Sequence, residues 1–292
     1  MSSPWTLQCA VVGNEIIEAA EVAGIASMHL FDAGALAVGE DHDTGGEASV
    51  QLIAGFGSKE DAEGAAELLG RRMPDLCCRV IADESHQTWV QSQQASLHPT
   101  TIGAWRIRAP WHDEDNGEAS SLTEIIIDPG AAFGHGAHPS TRLAIELLLA
   151  TLQRTNVDAE AVVDLGTGTG VIAIIAAKLG FPVRASDNDP AAIEVATRNI
   201  DANGVGRLIE LTSGDASDTA VRATDFVVAN VTIDVHRVLA PSYQTANTIV
   251  VSGLLCGQVA EMCELLDDHR PATVRTAGEW AAIVFDRALL ER

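Results

Sequence analysis

The chain has 292 residues, with 18 Lys+Arg against 41 Asp+Glu, a formal net charge of −23 and a pI near 4.5. That charge excludes an unaided grip on nucleic-acid phosphates or an anionic membrane, both of which need basic surface; it is consistent with a basic partner or a cationic cofactor, or with plain solubilising charge. A hydrophobic share of 47% and a charged share of 20% are those of a globular chain long enough for two domains.

From the N-terminus, residues 5–12 read as a strand. Glu15 to Gly24 follows with helical spacing (Ile16, Ile17, Ala20, Ala23) and a glycine stop. Residues 28–38 and 48–56 read as strands around a turn, Glu40 to Gly46. Ser58 is an N-cap with Asp61 in the capping-box position, and the helix it starts runs to about Arg72. A last strand covers 77–82. The order strand–helix–strand–strand–helix–strand predicts a small ferredoxin-like α+β domain over residues 1–84.

Residues 85–120 read as a connector holding Trp89, Trp105 and Trp111, with Pro99 and Pro110. From residue 121 to 292 the texture is that of a doubly wound α/β sheet. Strands are expected at 161–165, 182–187, 208–212, 224–229, 247–252, 272–276 and 280–286. Helices are expected at 140–153, 171–179, 190–203, 233–242 and 257–268. The longest apolar run, Val171 to Ala177, is too short to span a bilayer. The opening Met1 to Trp5 has no basic segment and no long apolar stretch after it, so no secretory leader is expected. The five cysteines, Cys9, Cys77, Cys78, Cys256 and Cys263, contain no Cys-x-x-Cys pair and are odd in number, which predicts reduced, mostly buried thiols and no zinc site. Residues 1–98 hold 15 acidic and 4 basic side chains against 26 and 14 in 99–292, so nearly half the excess charge lies on the first third, which makes it a candidate docking surface for something basic.

The richest stretch is Asp164-Leu-Gly166-Thr-Gly168-Thr-Gly170, where a buried strand runs into three alternating glycines and then a helix. Glycine is needed where the backbone turns sharply or must touch a ligand. The next strand ends at Asp187, a spacing that sets a carboxylate beside ribose hydroxyls. The third glycine comes one place too early for the nicotinamide pattern Gly-x-Gly-x-x-Gly, whereas Asp-x-Gly-x-Gly-x-Gly is a glycine loop for S-adenosylmethionine, a ligand without phosphate. Asn230 closes the strand 224–229, at the end of a doubly wound sheet that lines the ligand crevice, where its carbonyls can meet an amine. The following Val231-Thr232-Ile233 differs from the Asn-Pro-Pro-aromatic of adenine-base methylation. A second glycine-rich loop runs from Asp128 to Thr141: Phe133 is placed as an apolar lid, and Thr141 sits in the first helical turn with its hydroxyl in reach of a ligand. His135 and His138 lack further ligands at metal spacing, so no metal is expected.

Together these residues resemble the ribosomal-protein methyltransferases of the PrmA type. The resemblance is carried by Asp128-Pro-Gly-Ala-Ala-Phe133-Gly-His-Gly-Ala-His138-Pro-Ser-Thr141, by Trp89, Leu97-His98-Pro99 and Trp105 to Trp111, by Val228-Ala229-Asn230 and Leu239-Ala240-Pro241, and by Ser252-Gly253-Leu254 and Glu279-Trp280. It covers residues 85–292; the first 84 match in size and element order. It implies a Rossmann-like class I S-adenosylmethionine-dependent methyltransferase domain with a seven-stranded sheet, preceded by the small substrate-recognition domain. It implies methyl transfer to amino groups of the eleventh large-subunit ribosomal protein. Cofactor contacts carry over to Thr141, Gly166, Asp187 and Asn230, with Gly168 and Phe133 added from the loops and Asn230 as the catalytic residue. The chain departs from the family pattern at Gln93, His135, Ala137, Thr167, Thr232, Asp234, Val235 and His236. Two alternatives stay open: methylation of another protein or small-molecule amine, and a non-catalytic ribosome- or protein-binding homologue. A basic protein partner, no direct nucleic-acid or membrane binding, a monomer and a cytoplasmic setting complete the expectation.

Overall fold

The computed structural model describes residues 5–12, 16–33, 35, 37–42, 49–56, 58–74, 76–82, 98–112, 122–130, 132, 134, 136–153 and 159–287. The chain forms two compact units, one of residues 1–98 with 130–133, the other of 99–129 and 134–292.

The first unit contains β1 (Trp5–Val12), α1 (Ile16–Asp32), β2 (Ala37–His42), β3 (Ser49–Phe56), α2 (Lys59–Arg72) and β4 (Cys77–Ala82). Its antiparallel sheet has the order β2-β3-β1-β4, the ferredoxin-like arrangement. Here the helix expected to end at Gly24 and the strand expected over 28–38 are corrected. A single helix runs on to Asp32, and β2 is displaced into the predicted turn. Gly24 is buried inside the helix. Ala23, Ala26 and Leu30 keep one face in the core, so the 3.6-residue period passes through the glycine. The burial of that face against β3 outweighs an interior glycine's cost of about 1 kcal/mol. Ser58 does cap α2, accepting from the Asp61 backbone N–H at 3.1 Å.

A second correction concerns the thiols. Cys9 on β1 and Cys78 on β4 are cross-strand partners with Cα atoms 4.1 Å apart and form a disulfide. The sequence separation of 69 hid it, since only the sheet register makes the two residues neighbours. Cys77 and Cys263 are free thiols.

The second unit opens with β5 (Thr100–Ile102), β6 (Trp105–Arg108) and β7 (Thr123–Ile126), a three-stranded sheet that includes residues read as connector. Arg106 and Arg108 share the Glu124 carboxylate at 2.6 and 2.9 Å, fastening the parallel β6–β7 pair. Then come α3 (Pro139–Leu152), β8 (Ala161–Leu165), α4 (Val171–Lys178), β9 (Val183–Asp187), α5 (Pro190–Ala202), β10 (Ile209–Ser213), β11 (Asp225–Asn230), α6 (Ile233–Tyr243), β12 (Thr248–Leu255), α7 (Val259–Leu265), β13 (Arg270–Ala277) and β14 (Trp280–Asp286).

The seven-stranded sheet has the order β10-β9-β8-β11-β12-β14-β13, parallel except where β14 pairs antiparallel with β12 and β13. Every residue of β8 is buried, as expected for a central parallel strand covered on both faces. One face packs Val163, Val227, Ile249 and Ile283 against Leu239 and Tyr243 of α6 and Met262 of α7. The helix α3 packs on β11, β12 and β14. The strand order reverses between β8 and β11, which opens a crevice at their C-terminal ends. No helix among the described residues is long and apolar enough to cross a membrane.

Candidate active site

The crevice is built first from the turn after β8. Gly166, Gly168 and Gly170 have φ of 74°, 54° and 81°, the left-handed region that side chains avoid. Gly166 and Thr167 both donate backbone N–H to the Ser186 carbonyl, at 2.9 and 3.0 Å, which folds the turn against β9. A Cβ on Gly166 would lie 2.7 Å from Val231 Cγ1, so the turn also lies against the residue after Asn230.

Asp187 ends β9. One of its carboxylate oxygens accepts from the Gly168 N–H at 2.8 Å and the other from the Asp189 N–H at 3.0 Å. Burial pushes its pKa up from the ordinary carboxylate value, and these backbone donors work against that shift. Each oxygen keeps a lone pair that a ribose hydroxyl can use. The next strand, β10, runs on into Gly214, whose N–H donates to the Asp187 carbonyl at 2.9 Å, so Gly214 to Ala216 forms the wall beside Asp187. Sequence reasoning missed that corner, although Gly-Asp at a strand end was a visible turn signal.

Beneath the glycine turn lies Asp164, fully buried. Its Oδ2 accepts from Thr167 Oγ1 at 2.6 Å and from the Ala173 N–H at 3.2 Å. Burial raises its pKa to about 7. Thr167, a departure from the family pattern, thus supplies a hydroxyl to a carboxylate held near the neutral form.

The opposite wall comes from α3 and the ends of β11 and β12. Thr141 is fully buried in the first turn of α3, and its Oγ1 accepts from Asn230 Nδ2 at 3.3 Å. The Oδ1 of Asn230 is buried and accepts nothing. Beside Asn230 in register, Ser252 donates from Oγ to the Ser140 carbonyl at 2.7 Å. His138 caps α3 through Nδ1, 3.3 Å from the Ser140 N–H, and its ring meets Trp280 edge-on at 4.6 Å. His138 and Trp280, 142 positions apart, therefore meet as one apolar edge of this wall. Ser140 and Ser252 lie in segments that carry the resemblance, but their residue type assigns them no role until the packing joins them.

The segment that departs from the family pattern after Asn230 forms the start of α6. Asp234 pairs with Arg237, which also bonds Glu261 at 2.6 Å. His236 is fully buried between the Tyr243 hydroxyl at 2.7 Å and the Ser252 carbonyl at 2.9 Å. The carbonyl requires Nε2–H, so Nδ1 accepts from Tyr243. Burial lowers its pKa to about 4. Phe133 and His135 lie outside the described residues. Thr141, Gly166, Gly168, Asp187 and Asn230 are brought to one rim of the sheet. No grouping of three His, Cys, Asp or Glu side chains able to hold a metal occurs among the described residues.

The donor set fits S-adenosylmethionine. The crevice offers acceptors: the Asp187 carboxylate and the buried Asn230 Oδ1. The ligand brings ribose hydroxyls, amino groups and a cationic sulfonium, all of which seek acceptors or negative charge.

The family model described as ribosomal protein L11 methyltransferase (PrmA) matches residues 14–288. A ribosomal protein L11 methyltransferase of Dechloromonas aromatica is 34% identical over 211 residues, 70% of this chain and 67% of that protein. One from Desulfitobacterium hafniense is 38% identical over 184 residues, 61% of this chain and 56% of that protein. One from Thermus thermophilus is 32% identical over 213 residues, 71% of this chain and 79% of that protein. The chain thus spans between 56% and 79% of the length of these relatives. The crystal structure of a ribosomal protein L11 methylase from Lactobacillus delbrueckii subsp. bulgaricus superposes with a TM-score of 0.58 at 27% identity, covering 65% of this chain and 99% of that one.

Proposed function

The chain belongs to the ribosomal protein L11 methyltransferase (PrmA) family, and we propose that it transfers methyl groups from S-adenosylmethionine to amino groups of the eleventh large-subunit ribosomal protein. The observation that carries this reading is the buried, unpartnered Oδ1 of Asn230, held by Thr141 at the strand end beside the glycine turn.

S-adenosylmethionine supplies a methyl group already activated on a cationic sulfur. The protein has to align a neutral amine behind that group and exclude water, and such positioning is worth roughly 7–11 kcal/mol in favourable cases. In this reading Asp187 takes the ribose hydroxyls, and Gly166 and Gly168 let the donor approach the backbone. Asn230 Oδ1 accepts an N–H of the incoming amine and turns its lone pair toward the methyl group. A lysine amine, with a pKa near ~10.4, must shed a proton first. Desolvation in the crevice favours the neutral amine, and water carries the proton away. No side chain serves as a dedicated strong base. The first unit, with its acidic excess, docks the basic substrate, and the enzyme works in the cytoplasm.

A second reading, methylation of a different amine, rests on the departures from the family pattern at Thr232, Asp234, Val235 and His236, and the family match does not favour it. Incubation with radiolabelled S-adenosylmethionine and total ribosomal protein decides between them. Label in the eleventh large-subunit protein supports the first, label in another acceptor supports the second, and no label in any acceptor sinks both.

A further inference from the structure

Asn199 of α5 and Asn203, which caps its C-terminal end, act as a substitute β-strand. Ile126 donates its N–H to Asn203 Oδ1 at 3.0 Å, and Asn203 Nδ2 donates to the Ile126 carbonyl at 2.7 Å. Asp128 makes the same double exchange with Asn199, at 2.9 Å in both directions. The match is geometric. Alternate residues of an extended chain point the same way about 6.6 Å apart, and positions four apart on a helix lie about 6 Å apart on one face. The chain leaving β7 is therefore laid along α5 as if along a strand.

Asn199 makes one bond that Asn203 does not make to this region. Its Nδ2 also donates to the Thr169 carbonyl at 2.9 Å, inside the glycine turn. Thr169 in turn donates from Oγ1 to the Gly134 carbonyl at 2.7 Å. Both Nδ2 hydrogens of Asn199 are thus committed to carbonyls of two different loops. Its side chain is buried, with 1% relative exposure, so water cannot replace either bond.

We propose that Asn199 is a positioning residue for the methyl donor. Its amide sets the spacing between the glycine turn 166–170 and the chain at Asp128, so that this side of the crevice is in place before the donor arrives. Asn203 ties the same segment to the same helix without touching the glycine turn, which makes it the internal control. The proposal rests on the reading of this crevice as the S-adenosylmethionine site.

The test compares Asn199→Asp with Asn203→Asp in the full chain; each change keeps an acceptor and removes the amide donors. Binding of S-adenosylhomocysteine is measured by calorimetry, and hydrogen exchange is measured on the ligand-free protein. Asn199→Asp is expected to weaken binding by about tenfold or more, to raise the KM for the donor with kcat changed by less than about threefold, and to speed exchange in peptides covering 166–173. Asn203→Asp is expected to lower the melting temperature while leaving affinity within about twofold. If Asn199→Asp does not fold, the neutral Asn199→Ser is held to the same expectations. Affinity within about twofold of wild type in a folded Asn199 variant, or an equal loss in Asn203→Asp, overturns the role of Asn199 alone. Wild-type protein that binds no S-adenosylhomocysteine overturns the donor reading and this role with it.

Discussion

Thr141 Oγ1 and Asn230 Nδ2 meet at 3.3 Å although the residues are 89 positions apart, and this bond points the Asn230 amide so that its other end stays buried and free to accept. Thr141→Val should release that amide and lower kcat by about tenfold, while Thr141→Ser stays within about twofold of wild type. Asn230→Ala should lower kcat by about 10²-fold with S-adenosylhomocysteine affinity largely kept. Steady-state and binding measurements on the three variants check this; equal losses of kcat and affinity would argue against an orienting role.

Asp187→Asn keeps one acceptor but loses the charge and one of the two backbone bonds to Gly168 and Asp189. Calorimetry should show S-adenosylhomocysteine binding weakened by about 10²-fold, since hydrogen bonds to a charged group contribute up to about 3 kcal/mol. Near-normal affinity would remove Asp187 from the ribose site.

His236 is held neutral, with a pKa lowered to about 4 by burial. The unfolded chain takes up that proton near pH 6.5 and the folded chain only near 4, so stability is lost as pH falls through this window. Relative to His236→Gln, the wild type should lose about 3 kcal/mol between pH 7 and 4. Denaturant titrations of both proteins across that range measure the difference, and a constant gap would show that the imidazole does not stay neutral.

Asp164 acts in the opposite sense. Its carboxyl keeps its proton in the folded state up to about pH 7, so from about pH 4 to 7 the folded state becomes less favourable as pH rises. Asp164→Asn should therefore gain stability over wild type across that interval, by at most about 4 kcal/mol. The same titrations read it, and a variant that loses ground with rising pH would contradict the assignment.

The Cys9–Cys78 bridge closes a loop of sequence separation 69, for which chain entropy gives about 4 kcal/mol of stabilisation in the first unit. Thiol titration of the unreduced, denatured protein should find three thiols, the five cysteines less the bridged Cys9 and Cys78. A count of five would restore the reduced state expected from spacing alone.

Much of the second unit was legible because its signals are local. The glycine turn, the carboxylate at the end of β9 and the Asn closing β11 each announce themselves within a few residues, and a parallel sheet turns strand ends into one rim. The first unit was less legible. Gly24 reads as a helix stop because isolated propensity disfavours it, and only the core face shared by Ala23, Ala26 and Leu30 shows that the helix continues. The strands at 100–108 were missed because three and four residues give too short a period to read.

By itself, then, the sequence determined the element order outside residues 100–126, the doubly wound sheet and the residues of the glycine turn. These follow from periodicity, glycine chemistry and spacing, which act over a few residues. Tertiary structure alone decided which distant groups complete one another: Thr141 with Asn230, His138 with Trp280, Asn199 with both loops, Cys9 with Cys78. The physical reason is common to all four. A buried polar or covalent partner is chosen by register and packing geometry, and neither is written in the residue type of either partner. The charge of −23 excluded partners at the outset; burial is what raises one carboxylate to about pH 7 and lowers one imidazole to about 4.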